Sequence, residues 1–394
     1  MCHEMFEGKW NVIQNPAGNM IERQIKDIIV HWMFKGKAVI LVGARQVGKT
    51  TLFTEILKEQ AEEPLLLNCD DQEVREMLTN ANRSELALLF GSHHVVMIDE
   101  AQRVAGVGMV LKRITDNFKD VQLMVTGSSS LALQQELSEP LTGRAVEFRL
   151  FPFTTEELIR DQGIITARQQ LESRLVYGSY PDIVTNQQDA RTLLQNLANN
   201  YLYRDLLKMG SIRNPALLEK LLIALSLQLG SMISLNEIAQ TIGTDPKTVD
   251  KYIDLLEKCY IVFRLPSFSR NLRNELKKSR KIYFWDNGIR NAVISNFSPV
   301  GLRTDMGPLW ENFFISERIK SMQHQGRYVK SYFWRTDKQQ EIDYVEEEDG
   351  QIRLFELKWN PKKGGARLPN AFLEAYHPAE TAVVTPANFW SLFV

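Results

Sequence analysis

The stretch GARQVGKT, residues 43–50, fits the pattern G-x-x-x-x-G-K-[ST], with an apolar run before it (AVILV, 38–42) and a helix-like run after it (TLFTEILKEQ). Glycines let a backbone wrap closely around a phosphate chain, and successive N–H groups at a helix start point toward anionic oxygens. Gly43, Ala44, Arg45, Gln46, Val47, Gly48, Lys49, Thr50 and Thr51 therefore make a candidate phosphate cradle. In that pattern Lys49 reaches the β- and γ-phosphates of ATP, and the Thr50 hydroxyl ligates Mg²⁺.

VVMIDEAQ (95–102) places Asp99 after four apolar residues, where a carboxylate that holds hydrated Mg²⁺ is expected. Glu100 follows directly. In ATPases with an extra strand between the two motifs, an acid at this position polarises the attacking water, and LLLN (65–68) supplies a candidate for that strand. QLMVTGSSS (122–130) ends a further strand in polar residues. Thr126, Ser128 or Ser129 could sense the γ-phosphate there, at the carboxyl edge where open sheets bind ligands. For Ser128, capping the next helix is an equal alternative. In PLTGRAVEF (140–148), Arg144 lies in a glycine-containing turn and could neutralise charge on the γ-phosphoryl group, in cis or across a subunit boundary. An ordinary surface arginine is the alternative.

A second constellation lies near the C-terminus. In RLFELKWN (353–360), Glu356 and Lys358 interrupt a strand-like run and share a face, because side chains alternate along a strand. IDYV is a second strand-like segment, joined to the first through a hairpin turn at EEDG (347–350). So short a connection brings Asp343 level with Glu356. Two carboxylates at that separation suit Mg²⁺, and a neighbouring lysine can orient or deprotonate water and stabilise a phosphorane-like transition state. The alternative is a structural ion pair on an edge strand.

The elements that must hold these residues follow from periodicity. Strand-like runs at 38–42, 65–68, 95–98 and 122–126 alternate with helical stretches, which implies a parallel sheet with covered faces. After FRLFPFT (148–154) the pattern is mostly helical to about residue 265, and a mixed segment starts near KIYFWDNG (281–288). In SLNEIAQTIGTDPKTVDKYIDLLEKCYIVFRL (234–265), two apolar helical stripes flank a GTDP turn and a strand-like tail follows: a helix-turn-helix with the first strand of a wing. Lys247, Lys251 and Lys258 on its second helix are offset by Asp250, Asp254 and Glu257. Arg264, Arg270, Arg273, Lys277, Lys278, Arg280 and Lys281 face a single acid, Glu275, so residues 264–281 could track a DNA or RNA backbone or meet an acidic partner.

The chain has 394 residues, too many for one core, and a formal net charge of −1, so only local clusters can speak for a polyanion partner. Its three cysteines, Cys2, Cys69 and Cys259, lack metal-ligand spacing, which fits a reduced, cytoplasmic setting. No segment reads as a signal peptide or a membrane span, so no membrane partner is expected.

Residues 20–155 resemble the AAA-type ATPases of bacteria and archaea in which the ATPase domain precedes a C-terminal region of uncertain function. The resemblance rests on GARQVGKTTL, IDEAQ, TGSSS and LTGRAVEFRLFPFT, and continues through YGSYPDIV (177–184) and NYLYRDLLKMGSI (200–212). It implies a nucleotide-dependent machine without fixing its substrate. The D-x(12)-E-x-K arrangement resembles the PD-(D/E)xK nuclease superfamily, although no proline precedes Asp343. The core helix of that superfamily corresponds to GPLWENFFISERIKS (307–321), and the resemblance implies a metal-binding or supporting role for Glu311.

The expected fold is α/β, in four parts: a P-loop AAA-type domain with a parallel sheet (1–155), a helical linker (156–210), a winged helix-turn-helix (211–270) and a nuclease-like α/β domain (271–394). The expected activity is ATP hydrolysis coupled to that C-terminal half, with a second Mg²⁺ site on Asp343, Glu356 and Glu311 and a further copy of the chain as a candidate partner. Two alternatives remain: an ATP-dependent switch whose C-terminal domain is a silent binding module, and a non-enzymatic transcription factor.

Overall fold

The apolar runs that anchor the first motifs are buried along their whole length: Ala38–Val42, Val95–Asp99 and Gln122–Gly127 expose no residue. Strands covered on both faces belong inside a parallel α/β sheet. The computed structural model describes residues 20–60, 63–128, 141–199, 214–269, 280–336, 338–360 and 368–394. The expectations for Ser129, for residues 200–212 and for Arg270, Arg273, Lys277 and Lys278 fall outside the described residues. The chain divides into two compact units, Met1–Leu150 with Val184–Gln188, and Phe151–Ile183 with Asp189–Val394.

The first unit is built on β1 (Ala38–Val42), β2 (Leu65–Asn68), β3 (Val95–Asp99), β4 (Gln122–Gly127) and β5 (Ala145–Arg149). They form a five-stranded sheet in the order β2-β3-β4-β1-β5. Every pairing in it is parallel. The chain order thus reverses direction at β1, and the carboxyl ends of β1, β3 and β4 share one edge, where such sheets bind ligands. One expectation needs correction: the strand between β1 and β3 is β4, while the LLLN run forms β2 at the sheet's edge. Sequence position between two motifs does not set spatial position between them.

The second unit carries two sheets. One has the order β6-β8-β7, from β6 (Met232–Ile233), β7 (Val262–Pro266) and β8 (Arg280–Phe284), with antiparallel pairing throughout. The helices Leu235–Ile242 and Pro246–Lys258 lie in the chain between β6 and β7. Ser234 and Asp245 cap them by accepting from Glu237 N and Thr248 N. The other sheet has the order β12-β11-β10-β9, from β9 (Lys330–Arg335), β10 (Glu341–Glu348), β11 (Gln351–Leu357) and β12 (Glu380–Val384). Its β9, β10 and β11 are antiparallel neighbours, and β12 runs parallel to β11.

Two local devices set the register of β10. Asp349 (φ 49°) and Gly350 (φ 80°) form its turn to β11, and positive φ at both central residues matches the right-handed strand twist. The β9–β10 register then slips between Ile342 and Val345, a bulge that includes Asp343. One face of the sheet packs Trp334, Ile342, Val345, Ile352 and Leu354 against Phe268 and Phe372. Tyr344 and Phe355 pack instead against Phe314 of the helix Met306–His324.

Candidate functional sites

Gly43 leaves β1 with φ +155°, and a Cβ there would lie 2.2 Å from the Leu150 carbonyl oxygen. Only glycine allows the chain to turn this close to the end of β5. The loop runs on to the helix Lys49–Lys58, whose N-cap is Gly48. Lys49 is buried, and its ammonium donates to Gly43 O at 3.1 Å and Ala44 O at 2.8 Å. Burial lowers its pKa, against the pull of Glu100 and Asp99. Arg23 NH1 donates to Val47 O at 2.7 Å and steadies the loop from outside it.

The two acids meet the loop through hydroxyls. Thr50 Oγ1 donates to Asp99 Oδ1 at 2.9 Å and Oδ2 at 3.0 Å. Thr126, on the intervening β4, donates to Asp99 Oδ1 and accepts from Glu100 N at 3.1 Å. Burial raises the Asp99 pKa; the hydroxyl of Thr126 and then that of Thr50 oppose it. Glu100 has left-handed backbone, φ 53°, at the turn out of β3. Gln102 Nε2 donates to Glu100 Oε2 at 2.5 Å and to Ser128 Oγ at 2.9 Å, joining the second acid to the end of β4.

Arg144 is not brought to this edge. It precedes β5, and its carbonyl accepts from Ala38 N at the amino end of β1, whereas the phosphate loop leaves the carboxyl end. Its guanidinium Nε instead lies 2.6 Å from Asp116 Oδ1. Parallel pairing forces this: a residue just before β5 sits at the start of every neighbouring strand. The cis role expected for Arg144 is therefore incompatible with this fold.

In the second unit, the β10–β11 register pairs Tyr344 with Phe355 and so carries Asp343 toward Glu356. Asp343 Oδ2 accepts from Leu357 N at 2.8 Å, and Lys358 Nζ lies 2.7 Å from Glu356 Oε1. Burial raises the Asp343 pKa against Leu357 N–H, Lys281 and Lys358. Burial followed by the Asp343 charge raises that of Glu356. Desolvation works against the Lys358 ammonium, but Glu356 and Asp343 outweigh it and hold its pKa above the ordinary value. Asp343, Glu356 and Lys358 thus respond to one another electrostatically.

Glu311, on the helix Met306–His324, has different direct partners. Its Oε1 lies 2.9 Å from Lys281 Nζ and accepts from Tyr283 OH at 2.5 Å. Burial pushes its carboxyl up to about 7, against Lys281. Lys281 also lies 2.6 Å from Glu341 Oε1, and its side chain is 1% exposed. Among the described residues, no three of His, Cys, Asp and Glu converge closely enough to hold a metal ion.

The basic run is smaller than a count of residues suggests. Arg264 is turned onto Asp250, Asp254 and Glu257 of the preceding helix, and Lys281 is spent on Glu311 and Glu341. Two of the seven cations are therefore internal, and the net charge this segment offers a polyanion is lower than expected. Among the described residues, no helix is long and apolar enough to cross a membrane.

Comparison with known proteins gives three family matches. Residues 35–159 match an AAA domain, residues 168–300 a domain of unknown function, DUF8612, and residues 306–389 another, DUF4143. A Walker-type ATPase of Pyrococcus abyssi shares the fold with a TM-score of 0.50 at 16% identity, covering 71% of this chain and 98% of its own. The chain carries an AAA-type P-loop domain at residues 35–159. Its relatives include an uncharacterized protein of Mycobacterium tuberculosis, 25% identical over 361 residues, spanning 90% of this chain and 78% of the relative. Another, from Haemophilus influenzae, is 23% identical over 281 residues, 65% of this chain and 68% of the relative.

The P-loop fold of that domain implies nucleotide binding. Four polar anchors of the two candidate sites escape a reading by motif. Gln102 is visible as the last letter of IDEAQ but has no assigned role in the motif. Arg23 lies twenty positions before the loop and carries no spacing signal. Lys281 reads in the sequence only as one cation of a basic run and Glu341 carries no signal; the contact between them depends on elements far apart in the chain.

Proposed function

We propose that this chain hydrolyses ATP and uses the nucleotide cycle to drive a C-terminal half composed of a winged helix and a Mg²⁺-dependent phosphodiesterase site of nuclease-like fold. The observation that carries the ATPase reading is Asp99, which takes hydrogen bonds from Thr50 of the loop and Thr126 of β4 with Glu100 beside it. Residues 43–51 cradle the phosphates and Lys49 reaches the β- and γ-phosphates. Thr50 and Asp99 have the donor chemistry for Mg²⁺, which would neutralise charge on the phosphoryl oxygens. Glu100 polarises the attacking water, and Ser128 reports the γ-phosphate to it through Gln102. Arg144 contributes to catalysis only if it is supplied by a second copy of the chain.

The four-part division at residues 155, 210 and 270 belongs to this proposal. The β6-β8-β7 sheet with its two capped helices supports a winged helix. Asp343 and Glu356 fit one Mg²⁺, an ion that commonly takes one or two carboxylates and keeps several waters. That ion would lower the pKa of a bound water and clamp a phosphodiester oxygen. Lys358 holds Glu356 in place and faces the developing negative charge.

The second reading is a nucleotide-dependent switch whose C-terminal domain binds without cutting. It is favoured by Glu311, whose carboxylate is engaged by Lys281 and Tyr283, and by the loss of Arg264 and Lys281 from the basic run. Incubation with plasmid and single-stranded DNA in Mg²⁺ or Mn²⁺ separates the two readings. Cleavage that Lys358→Ala abolishes supports the phosphodiesterase; no cleavage, or equal cleavage by Lys358→Ala, supports the switch.

A further inference from the structure

The carboxylates around Asp343 fall into two groups with different company. Glu311 and Glu341 share the ammonium of Lys281, at 2.9 and 2.6 Å. Arg335 NH1 reaches the other Glu341 oxygen at 3.3 Å from the rim. Glu356 has Lys358 in direct contact, and Asp343 feels the charges of both Lys281 and Lys358 without a direct ion pair to either among the described residues.

Lys281 is fixed in depth. It projects from β8, a strand of the other sheet in this unit, with 1% of its side chain exposed, and its ammonium also lies 5.3 Å from the centroid of the Phe333 ring. Two residues along β8, Tyr283 donates to the same Glu311 oxygen that meets Lys281. The second Glu311 oxygen packs against Gly230, where an added methyl would come within 3.1 Å of it. A hydrated divalent ion could reach the Glu311 oxygen that meets Lys281 only by displacing this ammonium, which would stay buried with Glu341 as its one remaining carboxylate and face the ion's like charge, an arrangement a low-dielectric site penalises.

We propose that Lys281 is a built-in cation that occupies the place of a second metal ion, so that the cluster takes one divalent cation, on Asp343 and Glu356. The inference rests on the phosphodiesterase reading above and refines it, since it makes Glu311 a supporting group and not a ligand. Charge balance points the same way. Glu311 and Glu341 are matched by Lys281 and Arg335, while Asp343 and Glu356 exceed Lys358 by one negative charge. One divalent ion turns that excess into a single positive charge, suited to a phosphodiester anion. A second ion would leave a large positive surplus in a buried site.

The test counts Mn²⁺ on the full, nucleotide-free chain at pH 7.5, from the electron paramagnetic resonance signal of the free ion. The expected wild-type result is one ion whose binding Asp343→Asn removes. Glu311→Gln retains that ion at the same count, weakened by no more than the roughly 10–100-fold that removal of a supporting outer-shell group costs. Lys281→Met, folded by circular dichroism, gains a second ion that Glu311→Gln in the same chain removes. Two ions in the wild type, or loss of the ion in Glu311→Gln, overturns the inference and leaves the phosphodiesterase reading standing. A Lys281→Met protein that stays at one ion also overturns it. If Lys281→Met does not fold, the wild-type count and the Glu311→Gln affinity decide the matter. No Asp343-dependent Mn²⁺ at all removes the phosphodiesterase reading itself, and the inference with it.

Discussion

Thr126→Val tests the join between the two acids of the nucleotide site. Thr126 is fully buried, and its hydroxyl both donates to Asp99 Oδ1 and accepts from Glu100 N at 3.1 Å. Valine keeps the shape and removes both bonds. Losing a hydrogen bond to a carboxylate costs about 1.5–3 kcal/mol, and an unpaired buried N–H costs about 1–3 kcal/mol, so a loss of roughly 2.5–6 kcal/mol is expected. At about 2–4 °C per kcal/mol for a unit of this size, the ATP-sensitive melting transition should fall by roughly 5–24 °C. Turnover should suffer independently, because Glu100 N–H anchors a left-handed residue whose carboxylate must be aimed. A kcat reduced about 10–100-fold, which corresponds to roughly 1.4–2.7 kcal/mol, with KM for ATP little changed, is the expected kinetic result. Thr126→Ser, which restores the hydroxyl, should recover both. Calorimetry and steady-state ATPase assays read the outcome. A Thr126→Val protein with parental melting temperature and parental kcat would refute the reasoning.

Two further results are expected. Gly43→Ala must move the Leu150 carbonyl, which lies 2.2 Å from the new Cβ, while Leu150 N is held to Val42 O at 2.8 Å. Overpacking and backbone strain together should cost roughly 2–6 kcal/mol, read by thermal melting, with a weakened fluorescent-ATP titration. Glu311 has a folded pKa raised to about 7 from the ordinary 4.5, so the folded chain keeps a proton that the unfolded chain releases between those values. Stability should therefore fall as pH rises from about 4.5 through 7, and Glu311→Gln should flatten that slope in denaturant titrations across the pH range.

What the sequence made legible was mostly local. The phosphate loop announces itself because its glycines, Lys49 and Thr50 must be adjacent in the chain to wrap one phosphate group. The β10–β11 hairpin is legible for the same reason: Asp349-Gly350 supplies the two positive φ angles such a turn requires. Relations set by strand order were not legible. β4 lies between β1 and β3 only because of long-range pairing, and that pairing makes Thr126 the link between the Asp99 carboxylate and the Glu100 backbone. Arg144 was read as a loop residue near other motifs, yet the direction of β5 puts it at the far edge of the sheet. Arg264 and Lys281 counted as free positive charge until burial and partners were known. Charge can be summed along a chain, but its availability depends on what folds against it.

The central claim, that Glu100 activates water in a P-loop ATP site, is tested most directly by Glu100→Gln. A general base contributes about 10²–10⁴-fold to rate, and a neutral amide cannot take its place. Single-turnover hydrolysis by Glu100→Gln should therefore be at least about 100-fold slower than the parent, with fluorescent-ATP affinity preserved because the cradle and Asp99 are intact. Hydrolysis at the parental rate would contradict the account.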